Sequence, residues 1–519
     1  MILTLTGKHC NRMTEDKPYF IDGIDLDRSN EEFNIALDLA MNTHYSMYIT
    51  GRAGTGKSTF LKYLDKIAGK NIVKLAPTGV AAINAGGQTL HSFFKIRPSV
   101  YTPDDPRLKS RKEQTEEGPN ITDYFHYNLT RLKTIRGIET IVIDEISMVR
   151  CDTLDVIDKL LRFFRMRPEP FGGVQMIFIG DVFQLAPVAK DEEWEILREY
   201  YDSEFFFDAK VMKYMKLAKI ELRKIYRQKD SQFIDLLNKV RLNRLEEEDY
   251  HLLNSKVDRS LIPTAIDDNY IVLTTTNAKA AAINETRLRQ LTTPLITYKA
   301  EVTGEFNEND MPTDVELSLK VGSQVIFVKN DHTGRYYNGQ IGTIVDLEDD
   351  IIHIAVLNKN GDKITLDIGR ELWHNVKYAK AGKQIKEHVL GTFTQFPVKL
   401  AWAITVHKSQ GLTFDKVVAD IGRSFAAGQV YVALSRCTSL DGLILMNPIF
   451  SNAILSDRRV IEHAENDYDT ELIMAVRAIE KKNPEWQEEE NIHKLPYYLA
   501  ERFGSFEIYE KDLSIYSEN

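Results

Sequence analysis

The chain of 519 residues has only three cysteines, Cys10, Cys151 and Cys437. They are too few for a disulfide framework and too widely spaced for a zinc-ligand pattern, so a reducing compartment is expected. No apolar run approaches the roughly 18 residues that cross a bilayer, and no membrane association is expected. The opening stretch, MILTLTGKHCNRMTEDK, lacks the apolar core of a secretory signal and the Arg-rich, acid-poor character of a transit peptide, which makes a cytoplasmic protein the expectation. Net basic charge is also missing: the formal charge is −10. Residues 461–519 hold 15 acidic and 6 basic side chains, a net of −9 that leaves about −1 for residues 1–460. The acidity is therefore a property of the tail, and a near-neutral body is still able to carry a local basic groove. There is no short-period repeat. With 43% hydrophobic and 27% charged residues the composition is that of a soluble globular chain, and the length suggests about three to four domains.

What the chain does contain is MYITGRAGTGKSTF, residues 47–60. An apolar strand runs into Gly51, Gly54, Gly56, Lys57 and Ser58, and then into a helix whose Phe60, Leu61, Leu64 and Ile67 share one face. This is the P-loop pattern in the strand–loop–helix setting it requires. Glycines let the backbone wrap a polyphosphate with its N–H groups, here those of Gly54, Thr55, Gly56, Ser58 and Thr59, and the new helix points its positive end at the same place. Lys57 is expected to reach the β- and γ-phosphates and Ser58 to ligate Mg²⁺.

Three further apolar runs, NIVKLA (71–76), TIVID (140–144) and QMIFIG (175–180), read as short buried strands, separated by helical or polar segments. Alternation of this kind predicts an α/β fold with a parallel sheet covered on both faces, its ligands at the carboxyl ends of the strands. Residues 97–122, which include KSRKEQTEEGPN, read as a solvated loop or small insertion. A second αβ unit is expected from about residue 217, with KIELRKIYRQ and IVLTTTN, resuming at LAWAITVHKSQGLTFDKVVAD (400–420). Between them, residues 300–390 change texture. Ile352, Ile354 and Val356, then Ile364, Leu366 and Ile368, alternate with polar residues around Asn360–Gly361, the pattern of a hairpin with a type I′ turn. A small inserted antiparallel barrel is the expectation.

Asp144 and Glu145 end a strand beside the P-loop strand. Asp144 is expected in the Mg²⁺ shell and Glu145 as the group that orients and deprotonates an attacking water, which indicates hydrolysis of the nucleotide. Gln184, in GDVFQLAPV, is placed to contact the γ-phosphate. Phosphoryl transfer puts charge on the γ-phosphate oxygens, and guanidinium groups from a second lobe neutralise it. Arg227 in IYRQ and Arg436 in YVALSRC are the candidates, both assigned to that lobe.

The ordered set GRAGTGKS, APTGVAAINAGGQTLHSFF, IVIDEISMV, GDVFQLAPV, LRKIYRQ, AWAITVHKSQGLTFDKV and GQVYVALSRC resembles superfamily-one DNA helicases of the 5′-to-3′ subclass. The nearest resemblance is to the Pif (petite integration frequency) family, bacterial type, whose signature helix VRCDTLDVIDKLLRFFR (149–165) looks like. The likeness covers about residues 30–450. It implies two RecA-like P-loop domains (30–216, with a small insertion at about 97–136, and 217–299 plus 391–455). It also implies an SH3-like barrel at 300–390, an N-terminal segment 1–29 and an acidic C-terminal extension 456–519. The implied activity is ATP-dependent, 5′-to-3′ unwinding of duplex or structured DNA; the alternative is a single-stranded-DNA translocase or RecD-like subunit that needs a partner to unwind. Repair, recombination and telomere maintenance are the family's settings.

The resemblance further implies DNA contacts by Pro77, Thr78, Gly79 and His91 in the first lobe and by Asn277, His407 and Lys408 in the second, with Gly411 at the nucleotide. Tyr336 and Tyr337 are expected to stack on bases; Phe93 and Phe94 either stack or pack in the core. One departure stands out. Phe33 occupies the place where relatives often carry an adenine-reading glutamine, with Asn30 as the substitute. Partners implied are single-stranded DNA and duplex or G-quadruplex DNA with a 5′ tail, for a monomer on a bacterial or phage nucleoid. The tail (461–519) repels DNA by charge and is expected to dock on the body or on a protein partner.

Overall fold

The computed structural model describes residues 29–465 apart from 68–69, 112, 114–119, 216, 228–229, 260–269, 307–310, 330, 332, 334, 358–361, 382–383, 423–427 and 456, together with the short strands Phe20–Ile21 and Ile24–Asp25. Most of the acidic extension thus lies outside the described residues. No described helix is long and apolar enough to cross a membrane.

Six parallel strands form the first sheet, in the order Gln88–Thr89, Ile72–Ala76, Thr140–Ile143, Gln175–Ile179, Met47–Gly51 and Ala218–Leu222. All but the two edge strands are buried almost throughout because helices cover both faces. On one face Met47, Ile49, Val142 and Ile177 pack against Phe33, Leu37 and Leu39 of the helix Glu31–Asn42 and Phe60, Leu61 and Leu64 of the helix Lys57–Ile67. On the other, Tyr48, Val73, Ile141 and Phe178 meet the amphipathic helix Cys151–Arg165, and this core continues into the second lobe.

The second sheet is also parallel, ordered Ala403–Thr405, Ile271–Thr274, Val417–Asp420 and Leu443–Leu445. The expected boundary at residue 217 is therefore wrong. Ala218–Leu222 pairs with the P-loop strand along its whole length, because alternate residues Ala218, Ile220 and Leu222 are buried as an edge strand of the first sheet requires. Arg227, which follows it, leaves from the first lobe.

The insertion is antiparallel and longer than predicted at both ends. Its five-stranded sheet runs Lys363–Ile368, Ile352–Leu357, Ile341–Leu347, Gln324–Phe327, Val398–Leu400, and Ile296–Lys299 pairs with Glu316–Leu319 beside it. A long hairpin, Glu371–Ala381 with Gln384–Gln395, adds a third ladder with Glu301–Gly304. The predicted hairpin is present, but Leu357 opposes Lys363, which leaves five residues between the strands where a two-residue turn was expected. Asn360–Gly361 lies outside the described residues. The segment after residue 97 also differs: Tyr101, Leu108 and Ile121 are buried in the first-lobe core, so their apolar side chains hold an otherwise charged stretch against the body.

Candidate functional site

The chain turns through Arg52–Gly56 between the P-loop strand and its helix. Gly56 has φ +95°, a conformation that side chains rarely adopt. Lys57 folds back over the loop and donates to the carbonyls of Gly51 at 2.6 Å and Arg52 at 3.0 Å. Burial lowers its pKa, while Asp181 and Glu145 pull the other way. A desolvated ammonium beside a helix N-terminus favours an anionic ligand.

The loop forms one wall of a cleft of about 500 Å³, lined by Phe33, Gly54, Thr55, Gly56, Lys57, Ser58, Thr59, Glu145, Gln184, Tyr226, Arg227, Gly411 and Arg436, among others. Nearly all the predicted nucleotide residues are thus brought together. Asp144 and Glu145 follow the strand Thr140–Ile143, which is not beside the P-loop strand as expected but one strand further along, with Gln175–Ile179 between them; burial and the Glu145 charge push Asp144 up to about 7, and burial raises Glu145 as well. Glu145 holds a left-handed backbone, φ +52°, unusual for a residue with a side chain. Its Oε2 accepts a hydrogen bond from Gln410 Nε2 at 2.8 Å.

Two arginines close the far side. Arg436 is 2% exposed and donates to the carbonyls of Val432 (3.0 Å) and Leu412 (3.3 Å) and to the Ser435 hydroxyl (3.0 Å). Arg227, from the first lobe, donates to the Ser435 carbonyl at 3.3 Å. Burial and the neighbouring Arg436 charge bring Arg227 down to about 9, and burial lowers Arg436 too. Two guanidinium groups held this close stabilise an anion between them far better than either does alone.

Asn30 does not sit where it was expected. It is 2% exposed; its Oδ1 caps the first helix by accepting from the Phe33 amide (3.1 Å), and its Nδ2 donates to the Tyr226 hydroxyl (3.1 Å). Capping uses the amide edge that base reading needs. Phe33 and Tyr226 line the cleft instead.

A second cavity, about 520 Å³, runs between the first lobe, the helix Asn277–Gln290 and the insertion. Asn277 and Lys408 line it, with Asn84, Thr405 and Asn338. Asn338 of the insertion donates to Asn84 of the first lobe at 3.0 Å. Lys399 lines it too, its pKa lowered by burial and by the charge of Lys408. Pro77 and Gly79 are partly exposed and Thr78 exposed, the Thr78 hydroxyl capping the helix Gly79–Ala85, while His407 is exposed on the turn that carries Lys408. Burial lowers the pKa of His91, which is partly exposed on the helix Leu90–Phe94.

Three aromatic expectations resolve clearly. Phe93 and Phe94 are core residues, 4.9 Å apart edge to face. Tyr336 is 2% exposed and stacks on Phe327 at 4.3 Å, so its faces are already covered and it has none for a base. Tyr337, next to it, is 48% exposed.

Four residues were missed by sequence reasoning. Asp181 is fully buried, bonded to Arg241 at 3.0 Å, and Arg241 also lies over the Phe183 ring. Tyr431 and Gln410 reach the first lobe from the second. Asp181 follows an apolar strand just as Asp144 does, and Gln410 stands inside HKSQG, so both had a signal.

Residues 30–251 match the profile of the PIF1-like helicase family. The chain is 32% identical over 443 residues to ATP-dependent DNA helicase Pif1 of Campylobacter jejuni, covering 80% of this chain and 94% of that one. Among solved structures it is similar to Bacteroides sp Pif1 in complex with ADP-AlF4, at 39% identity, a TM-score of 0.76 and coverage of 84% and 96% of the two chains. Bacteroides Pif1 in complex with ADP-AlF3 and ssDNA has a TM-score of 0.58 at the same identity and coverage.

Proposed function

As this chain belongs to the PIF1-like helicase family and is an ATP-dependent DNA helicase, we propose that it translocates 5′ to 3′ on single-stranded DNA, hydrolysing ATP in the cleft between its two parallel sheets. The observation that supports hydrolysis between the lobes is that one cleft holds the P-loop and Glu145 on one side and Arg436, from the second lobe, on the other; the direction rests on the resemblance of the motifs to the 5′-to-3′ subclass.

In this reading the N–H groups of Gly54–Thr59 and the Lys57 ammonium hold the phosphates. Ser58 hydroxyl and Asp144 carboxylate are hard oxygen donors of the kind Mg²⁺ takes, and they would hold it; when bound, the ion neutralises phosphate charge. Glu145 takes the proton of the attacking water, Gln184 touches the γ-phosphate, and Arg227 and Arg436 meet the charge that develops there. Because Arg436 belongs to the second lobe, hydrolysis requires the lobes to close, and product release lets them part.

The strand runs in the second cavity against Asn277 and Lys408, and beyond its lining it meets Pro77–Gly79, His91 and His407, with Tyr337 stacking on a base. Phosphate and stacking contacts hold DNA without reading sequence, which suits a motor. Duplex or G-quadruplex DNA with a 5′ tail is the substrate, the working unit is a monomer, the acidic tail serves a protein partner, and the site of action is the nucleoid.

The test is a polarity assay with duplexes carrying only a 5′ or only a 3′ tail. Preferential unwinding of the 5′-tailed duplex is expected. Preference for the 3′ tail contradicts the direction, and ssDNA-stimulated ATP hydrolysis without unwinding of either duplex points to a translocase that needs a partner.

A further inference from the structure

The nucleotide cleft and the second cavity share a wall. Thr405, Lys408 and Leu412 line the second cavity, and Gly411 and Thr413 line the nucleotide cleft. The turn between them is tightly bonded: Ser409 N–H donates to the Thr405 carbonyl (3.0 Å), Ser409 hydroxyl to the Val406 carbonyl (2.7 Å), and Leu412 N–H to the Ser409 carbonyl (3.0 Å). A turn so constrained moves as a unit.

On the cleft side it touches two groups of the hydrolytic site. Gln410 donates to Glu145 Oε2 at 2.8 Å across the lobes, and the Leu412 carbonyl accepts from Arg436 at 3.3 Å. Glu145 is half-buried at the cleft wall and holds a left-handed backbone, and the Gln410 amide is the group that fixes its Oε2. A base must offer a carboxylate lone pair to water at hydrogen-bond distance. An amide donor on Oε2 occupies one lone pair and lowers that oxygen's basicity.

We propose that Gln410 is a positioning residue that restrains Glu145 until single-stranded DNA engages Lys408, two residues away on the same turn, so that ATP hydrolysis becomes conditional on DNA. This rests on the assignment of Glu145 as the base. Movement of the turn toward a phosphate at Lys408 withdraws the amide from Oε2 and at the same time shifts the Leu412 carbonyl against Arg436. The carboxylate is then free to accept the water's hydrogen and take its proton as the γ-phosphorus–oxygen bond to water forms and the bond to the leaving diphosphate breaks.

The test measures steady-state ATPase with and without oligothymidine for the wild type, Gln410→Ala and Gln410→Asn, with ssDNA affinity by fluorescence anisotropy. In the wild type, stimulation of at least tenfold is expected. Gln410→Ala should raise the DNA-independent kcat about fivefold or more, compress the stimulation to threefold or less, and leave the KM for ATP and the ssDNA affinity within twofold. Gln410→Asn, whose shorter amide falls short of Oε2, should behave likewise. If the alanine variant keeps tenfold stimulation, or loses rate equally with and without DNA, the restraint is refuted and Gln410 only supports the fold or the stimulated state. If the wild type itself shows no ssDNA stimulation, the motor reading fails first, and the two failures are told apart.

Discussion

The Tyr431 hydroxyl of the second lobe accepts the Ala53 N–H of the P-loop at 3.2 Å and donates to the Asp181 carboxylate at 3.3 Å. Asp181 is also bonded to Arg241, whose charge, with that of Lys57, offsets burial and keeps the carboxyl below its usual range. One hydroxyl thus links the phosphate loop, the end of the strand Gln175–Ile179 and the other lobe. Removing it as Tyr431→Phe leaves a buried N–H without its acceptor, at a cost of about 1–3 kcal/mol. Because the contact crosses the cleft, the loss should appear as a several-fold rise in the KM for ATP, measured by steady-state ATPase, with a modest fall in melting temperature. An unchanged KM would mean that the bond plays no part in holding the lobes together around the nucleotide.

Lys57→Ala should abolish turnover while leaving the nucleotide-free protein as stable as the wild type or more so. The reason is that burial disfavours the Lys57 charge by more than the charges of Asp181 and Glu145 restore, so that its pKa is lowered although it also donates to two loop carbonyls. Thermal melts with and without ATP separate the effects: ATP should raise the wild-type midpoint and leave the variant's in place.

Arg436 poses the opposite problem, because the body of the side chain is part of the second-lobe core. Arg436→Ala should remove hydrolysis but spare ssDNA binding, and Arg436→Lys, which keeps charge and most of the volume, should retain the fold while losing about two or more orders of magnitude in kcat. Normal turnover in the lysine variant would refute the role given to the guanidinium. Circular dichroism guards against simple unfolding of the alanine variant.

Adjacent tyrosines in the insertion should behave differently. Tyr337→Ala removes an exposed ring and should weaken ssDNA binding by about 1–3 kcal/mol, the usual worth of one stacked base, without lowering the melting temperature. Tyr336→Ala removes a buried ring stacked on Phe327 and should destabilise the insertion by about 3–5 kcal/mol. Anisotropy titrations and thermal melts read the two outcomes independently.

How far the sequence carried these conclusions depended on the range of the interactions involved. Buried parallel strands are short apolar runs, and the phosphate loop is a local glycine pattern, so both are legible residue by residue. Ala218–Leu222 was misassigned because an edge strand alternates its burial and resembles the start of a new unit. Tyr336 and Tyr337 are indistinguishable in sequence; only packing on Phe327 decides which is free to meet a ligand. Tyr431 and Gln410 bond to groups 378 and 265 residues away on the other lobe, a pairing that no local pattern announces, although Gln410 stands inside a motif and Asp181 follows an apolar strand.

The helix Arg458–Glu465 returns to the first lobe, where the His463 ring stacks on Phe207 at 4.1 Å and approaches Tyr48 and Phe206. Arg459 reinforces the docking through Glu204 and the Asp202 carbonyl. Burial, with a smaller contribution from the charge of Lys219, pushes His463 down to about 3. A histidine depressed in the folded state contributes its full stability above the unfolded value of about 6.5, and that contribution is lost as pH falls below it. At pH 5 the loss amounts to at most about 2 kcal/mol, because each pH unit is worth about 1.4 kcal/mol and the ring is not wholly enclosed. Hydrogen exchange in residues 458–465 should therefore accelerate between pH 7 and pH 5 after correction for intrinsic rates. His463→Phe keeps the stack and removes the titration, so its exchange should be slower at pH 5 and flat across the interval. An equal acceleration in both proteins would assign the acid sensitivity to the ion pairs of Arg459 instead.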